Sequence, residues 1–339
     1  MLKIGISGFG FMGRMHYKCW EALKNAEVVA VCDVNPNIKE DIKKAVGNVG
    51  EAKGAIDFNR IQLYTDYEKM LKEAKLDAVS ITLPTYLHAD FSIKALQAGL
   101  NVLCEKPMAL NVQDCRRMID QANCSKKVLQ IGHCVRFWPE YAKAREIVDS
   151  GIYGEVIAAT FQRLGSAPVW SIDNWFMNEK CSGGVALDLH IHDTDFVQYL
   201  FGIPRAVSSF GAKGPGGKLL HIVTQYLYEG DKVVTAEGSW AMMPSFSFEM
   251  SFNIAMEKAT IVYDLTRQPA FKVCPANGRF FTPRTEKGDG WSLEIAHFAK
   301  AISGQKVKPV TTLDQSLNSV KIVEAEKESL RKGQKILIR

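Results

Sequence analysis

Asp188 and His192 lie four residues apart in the stretch Gly183-Gly184-Val185-Ala186-Leu187-Asp188-Leu189-His190-Ile191-His192-Asp193-Thr194-Asp195. On a helix that spacing puts both side chains on one face, and Asp195, three residues further, falls near it. A histidine with carboxylates beside it is a natural proton acceptor near neutral pH, because nearby negative charge supports the imidazolium. Two other arrangements use the same residues. His190, His192 and the aspartates could ligate a metal, although no cysteine or distant histidine pair completes a ligand set. The aspartates could also do no more than start a helix, since Asp favours the first turn. A second reactive candidate is Lys106 in Glu105-Lys106-Pro107. Pro107 restricts the residue before it to extended geometry, which aims the lysine side chain. An exposed loop lysine beside a chain-turning proline fits the same spacing. A base that takes a hydroxyl proton and a cation that steadies the developing alkoxide are what oxidation of an alcohol needs.

The elements that must position these groups come in two styles. The first 133 residues alternate apolar runs (Leu2–Ser7, Val28–Cys32, Ala78–Leu83, Asn101–Cys104 and Val128–Gly132) with stretches of helical period. Met12, Met15, Cys19 and Leu23 share one helix face. Further helices are expected at Asn37–Val46, Tyr67–Ala74, Tyr86–Ala98 and Val112–Ala122. Strands that are apolar throughout, alternating with helices, predict a parallel, doubly wound sheet covered on both faces. Lys106 would then sit at the carboxyl end of a strand, where open α/β sheets border their ligand crevice.

After about residue 150 the pattern changes. Phe246–Glu257 alternates apolar with polar or small residues, the mark of a sheet with one buried face. A hairpin is expected at Glu229-Gly230-Asp231. Helices are expected at Asp193–Leu200, Trp291–Ile302 and Leu313–Leu330, and the helical segment Phe137–Ser150 could belong to either half. The second half thus reads as a mostly antiparallel sheet with a few helices.

The first strand-to-helix turn reads Gly8-Phe9-Gly10-Phe11-Met12-Gly13. G-x-G-x-x-G alone is a weak signal, but here a strand ends at Ser7 and a helix begins by Phe11, the context a dinucleotide requires. Gly8 permits the tight turn, Gly10 lets the backbone approach a pyrophosphate, and Gly13 lets helix pack on strand. The helix start offers free N–H groups and a positive dipole end. Asp33 follows at the end of the next strand, where a carboxylate accepts the ribose hydroxyls and repels a 2′-phosphate. Val34-Asn35-Pro36 follows, with no adjacent Arg or Lys, so NAD fits better than NADP. FAD uses a similar fingerprint, and a glycine turn with no ligand uses the same residues.

Composition sets the outer limits. The 339 residues are 47% hydrophobic and 23% charged, with a formal charge of +5 from interspersed signs. That fits a globular protein of about two domains and gives no reason to invoke nucleic acid. The densest basic stretch (Arg331, Lys332, Lys335, Arg339) reads as a solvated helix end. The eight cysteines include no C-x-x-C pair, and several lie inside apolar runs, which fits free thiols in a reducing compartment. No leader or membrane-length apolar run is evident, so a soluble, cytoplasmic protein is expected.

Together these motifs resemble the Gfo/Idh/MocA family of oxidoreductases over nearly the whole chain. The likeness rests on GFGFMG at 8–13, Asp33, LPTYLH at 83–88 and AGLNVLCEKP at 98–107. It continues with IGHCVRFWPEY at 131–141 and SGGVALDLHIHDTDF at 182–196. It implies an N-terminal doubly wound Rossmann domain over 1–126 that binds NAD. It also implies an α+β domain over 127–339, whose large, mostly antiparallel open sheet makes a homodimer or homotetramer and whose last helix may return to the first domain. Sugars, cyclitols and related polyols are the implied substrates. With the glycine turn, the resemblance assigns the cofactor to Gly8, Phe9, Gly10, Phe11, Met12, Gly13, Asp33, Val34, Leu83, Pro84, His88, Glu105 and Lys106. It assigns catalysis to Lys106, Asp188 and His192, and substrate contacts to Lys106, Asn174, Trp175, Asp188, His192 and Asp195. His192 would be the general base and Lys106 the partner of the reacting hydroxyl, so the two must meet beside the nicotinamide. The family also contains glycosidases that use NAD transiently and non-catalytic sugar- or nucleotide-sensing regulators. Two departures leave the pocket open: Thr85-Tyr86 replaces the usual Asn after the LPT proline, and Val135-Arg136 replaces Arg-Arg. Trp138, Trp170, Asn174, Trp175 and His190 are candidate pocket residues, with core or interface packing an equal explanation for each tryptophan.

Overall fold

The structure is a computed structural model that describes residues 1–40, 56–169 and 171–338. Its chain forms two compact units, Met1–Phe137 with Asp289–Leu317, and Trp138–Gly288 with Asn318–Arg339. The expected helix at Asn37–Val46 lies largely outside the described residues, as do Trp170 and Arg339.

The first unit is built on strands β1 (Leu2–Ser7), β2 (Ala26–Cys32), β3 (Gln62–Tyr64), β4 (Ala78–Ile81), β5 (Asn101–Glu105) and β6 (Leu129–Gly132). They form one parallel sheet in the order β3-β2-β1-β4-β5-β6. The six strands are joined by α1 (Phe11–Glu21), α2 (Tyr67–Glu73), α3 (His88–Gln97) and α4 (Val112–Ser125). Ile4, Ile6, Val79, Ile81 and Leu103 are fully buried, as strands covered on both faces require. Helix α1 lays Met15, Cys19 and Trp20 against this sheet, and the Trp20 indole donates to Ser80 Oγ at 2.9 Å. A later helix, α8 (Gly290–Ile302), places Phe298 edge-on to Trp20 and opens with a capping box between Asp289 and Ser292.

Two features of this unit differ from what the sequence predicts. β3 is three residues long at the sheet edge and carries no apolar run. The stretch expected as a helix from Tyr86 begins instead as a 3₁₀ turn at Thr85–Leu87 and becomes α-helical at His88.

The second unit begins with α5 (Pro139–Ser150), followed by β7 (Val156–Ser166), α6 (Glu179–Ser182) and α7 (Ile191–Phe201). Strands β8 (Ala206–Lys213), β9 (Leu219–Leu227), β10 (Val233–Met242), β11 (Glu249–Met256), β12 (Ala259–Asp264) and β13 (Phe271–Pro275) come next. The chain closes with α9 (Leu313–Lys332), most of it in this unit, and β14 (Ile336–Leu337). The eight strands run in the order β13-β12-β11-β7-β10-β9-β8-β14. β7 and β10 pair in parallel, and the other described pairings are antiparallel.

The alternation expected over Phe246–Glu257 belongs to β11. Met250, Phe252, Ile254 and Met256 point into the core, and Ser251, Asn253 and Ala255 point away from it. The strand starts late because the Phe246 N–H closes a turn onto the Met243 carbonyl at 2.8 Å. The hairpin between β9 and β10 lies where expected, with Gly230 at φ +80°. Tyr141, Phe161, Phe196, Phe252 and Tyr263 pack edge-to-face and tilted at the centre.

Candidate active site

In the first unit the glycine turn is fixed from three sides. The Gly8 N–H donates to the Cys32 carbonyl at 2.8 Å, and the Thr82 hydroxyl donates to the Gly8 carbonyl at 2.6 Å. Asp33 reaches back from the end of β2 to accept the Phe9 N–H at 2.6 Å and the Asn35 N–H at 2.9 Å. Gly8 has φ +85°, which a side chain would oppose. A Cβ on Gly13 would lie 2.1 Å from the Gly8 carbonyl oxygen, so only glycine lets helix meet turn here. A Cβ on Gly10 would meet nothing within 4 Å. Open space beside Gly10, an α1 start with no side-chain cap and no acid in its first turn suit a pyrophosphate. Phe9 has its ring buried against Tyr17 and Phe58, so it faces the turn only through its backbone. Phe11, Met12, Leu83 and Pro84 are half-buried along the same strand ends, and Val34 is exposed.

Lys106 follows β5 at the carboxyl edge of the same sheet, half-buried, with a cis bond to Pro107. Its N–H donates to Glu105 Oε2 at 3.2 Å, and Glu105 Oε1 lies 3.0 Å from His16 Nε2. Burial would raise the Glu105 carboxyl, but the His16 hydrogen bond and nearby positive charge outweigh it and hold it below the ordinary value. His88 is buried with its ring nitrogens 2.8 Å from the Leu83 and Pro107 carbonyls. It therefore ties the LPT segment to the lysine loop, and burial lowers its pKa. Thr82 and His16 carried no signal in the sequence; only the fold brings them to the turn and to Glu105.

In the second unit, the helix expected from Asp193 starts earlier. A π turn spans Ala186–His190 and runs directly into α7. Asp193 does not cap that helix: it is fully buried and bound by Arg163 of β7 through Nε at 2.8 Å and Nη2 at 3.0 Å. Asp188 and His192 are each half-buried along this path. Asp195 is buried and accepts the Ser319 hydroxyl at 2.7 Å. Asn174 is exposed in a left-handed conformation (φ 52°), and Trp175 stacks on Phe176 at 3.9 Å between ring centroids. Trp138 precedes α5, half-buried.

His190 turns inward. Its Nε2 lies 3.3 Å from the Tyr226 hydroxyl and 3.6 Å from Glu326 Oε2. Thr194 donates to Glu326 Oε1 at 3.0 Å and lies 2.9 Å from the Tyr226 hydroxyl. The Tyr226 hydroxyl thus sits between Thr194 and the His190 ring. Burial pushes the Glu326 carboxyl up to about 8, and burial together with Arg163 and His221 lowers His190 to about 3. Among the described residues no group of three or more His, Cys, Asp or Glu is arranged to hold a metal ion.

These values fix a pH dependence. The native state keeps a Glu326 proton that the unfolded chain releases above its ordinary 4.5, so this group loses stability as pH rises toward 8. His190 acts oppositely, losing stability as pH falls from 6.5 toward 3. The two oppose each other below the ordinary histidine value, and above it the Glu326 proton leaves a fall in stability toward alkaline pH. Arg163, Asp193, Tyr226 and His221 are the other ionisable groups bearing on the pair. Glu326→Gln should remove most of that fall, read as Tm against pH; an unchanged slope would place the proton elsewhere.

A six-stranded parallel sheet in this order, with a glycine turn after β1 and a carboxylate after β2, defines a dinucleotide-binding unit of the Rossmann type. The chain belongs to the GFO/IDH/MocA family. Residues 2–133 match the model for the oxidoreductase family with an NAD-binding Rossmann fold, and residues 141–262 match the GFO/IDH/MocA C-terminal domain. D-glucoside 3-dehydrogenase of Escherichia coli (strain K12) is 31% identical over 62% of this chain. An uncharacterized oxidoreductase of Streptococcus pneumoniae is 31% identical over 62% of it. The chain spans little more than half the length of those two relatives, 57% and 53%. scyllo-Inositol 2-dehydrogenase (NAD(+)) of Bacillus subtilis is 25% identical over 98% of this chain and 95% of its own. Levoglucosan dehydrogenase, solved with NADH and levoglucosan, shares the fold with a TM-score of 0.83 at 21% identity over 99% of both chains.

Proposed function

We propose that this protein is an NAD-dependent dehydrogenase acting on a secondary hydroxyl of a sugar, cyclitol or related polyol. What supports this reading is that the chain carries Lys106, Asp188 and His192 together with a glycine turn open at Gly10. The names of the relatives, dehydrogenases of glucosides and inositols, support it over a glycosidase or a regulator.

The roles follow from chemistry. His192 takes the hydroxyl proton, and Asp188, one helical turn away in sequence, steadies the charge that results. Lys106 donates to the reacting oxygen and stabilises its negative charge. NAD held by the first unit would supply the hydride acceptor for the carbinol carbon. Asn174, Trp175 and Asp195 contact the substrate, the tryptophan through its apolar face. The first unit binds the cofactor through Gly8, Phe9, Gly10, Phe11, Met12, Gly13, Asp33, Val34, Leu83, Pro84, His88, Glu105 and Lys106. The second unit binds substrate and, through its large sheet, a second copy of the chain as homodimer or homotetramer. No helix among the described residues is long and apolar enough to cross a membrane, and we place the enzyme in the cytoplasm.

A panel of sugars and cyclitols assayed for NADH formation tests the reading. Turnover of at least one polyol is expected, and release of an aglycone from chromogenic glycosides without net NADH would overturn it. Asp33→Asn tests the cofactor assignment. The amide can accept only one of the two backbone N–H groups, from Phe9 or Asn35, and drops the charge, so NADH affinity should fall about tenfold or more and the preference over NADPH should narrow by a similar factor. Fluorescence titration with both nucleotides reads this directly, and an unaltered preference would take Asp33 out of the selection.

A further inference from the structure

The path from Ala186 to His192 is irregular where regularity would cost least. A π turn is rare and holds only where surrounding groups over-determine it. Ala186, Leu187 and Leu189 fill it with apolar side chains, and His190 is its one fully buried polar residue. Opposite the ring, β10 carries Gly238 in mid-strand, where glycine weakens a strand without a reason of its own. The reason here is approach. A Cβ on Gly238 would lie 2.9 Å from His190 Cβ, 3.0 Å from its Nδ1 and 3.2 Å from its Cα. The turn therefore rests its backbone directly on the strand.

We propose that His190 is a peg that sets the π turn, and with it the aim of Asp188 on one side and His192 on the other. Tyr226, Thr194 and Glu326 form the socket, Gly238 forms its floor, and all five are positioning residues. The inference rests on the roles given above to Asp188 and His192. Three elements hold the peg: β9 through Tyr226, β10 through Gly238 and α9 through Glu326. Thr194, one turn beyond His190, closes the chain of hydrogen bonds from Tyr226 to Glu326. Moving any wall shifts the ring, and the backbone that bears Asp188 and His192 follows it.

The test compares Gly238→Ala, Tyr226→Phe, Glu326→Leu and Glu326→Gln in the whole enzyme, assayed well below each Tm. Gly238→Ala and Glu326→Leu should lower kcat at least tenfold with NADH affinity unchanged. Tyr226→Phe, which keeps the ring and so the packing, should lower kcat three- to tenfold. Glu326→Gln keeps the acceptor for Thr194 and should stay within about twofold of the wild type. The ring resonances of His192 in an NMR spectrum should move in the three impaired variants and not in Glu326→Gln. A purely structural role would lower Tm without moving either the His192 signal or kcat. The proposal is overturned if folded Gly238→Ala turns over at the wild-type rate, or if the His192 signal stays put in both Glu326→Leu and Tyr226→Phe. Absence of any polyol oxidation by the wild type would instead overturn the reading of the site, and the His192 signal would still report on the socket.

Discussion

Lys106→Ala should lower turnover by at least a hundredfold while the protein still binds NADH. A cation placed where an alkoxide develops contributes about 3–4 kcal/mol to the transition state, and each 1.4 kcal/mol is a factor of ten. The backbone of Lys106 is anchored before any substrate arrives. The Lys106 N–H is held by Glu105, and Glu105 is held by His16 on the helix that begins at the glycine turn. The groups that fix the glycine turn, Thr82 and Asp33, are untouched by the substitution. Lys106→Arg keeps the charge with a different reach and should recover part of the loss. Steady-state rates with the best polyol, set beside NADH titration, check both halves. Full turnover in the alanine variant would remove Lys106 from the mechanism.

Arg163→Met should destabilise the second unit by about 3–5 kcal/mol, the usual effect of stripping one partner from a buried ion pair. Arg163 is 3% exposed and Asp193 0%, and the two meet through two hydrogen bonds. With the guanidinium gone, the Asp193 carboxylate has lost its counter-charge in a site closed to water. For a unit of this size the expected fall in Tm is about 6–20 °C. The double variant Arg163→Met/Asp193→Leu should recover most of it, because a buried pair exchanged for apolar side chains is often neutral. Thermal and urea denaturation of the two single variants and the double variant measure the coupling. A loss below 1 kcal/mol in Arg163→Met would mean that water reaches Asp193.

What the sequence made legible was what local rules control. β1 ends where the glycine turn begins because Gly8 must adopt a positive φ. α8 and the alternation of β11 show in their apolar periods. The glycine turn and the acid after β2 were readable because their spacing is itself the signal. The substrate side was less so. Asp193 looked like a helix start, and its real partner lies thirty residues earlier on a strand. Glu326 carried no signal among its charged neighbours Glu324, Lys327 and Glu328, yet α9 turns it into the core toward Thr194. β3 was missed because an edge strand of three residues, Gln62–Tyr64, need not be apolar.

The parallel pairing of β7 with β10 separates two neighbours of the sheet by the whole stretch from 167 to 232. Asn174, Trp175, Asp188, His192 and Asp195 all fall inside that excursion. The short connection from β7 to α7 can therefore be exchanged as one contiguous piece of gene while β7 and β10 keep their pairing. A chimera that imports residues 167–187 from a relative, leaving His190 and the Arg163–Asp193 pair native, is the economical way to test whether that connection sets the choice of polyol we propose.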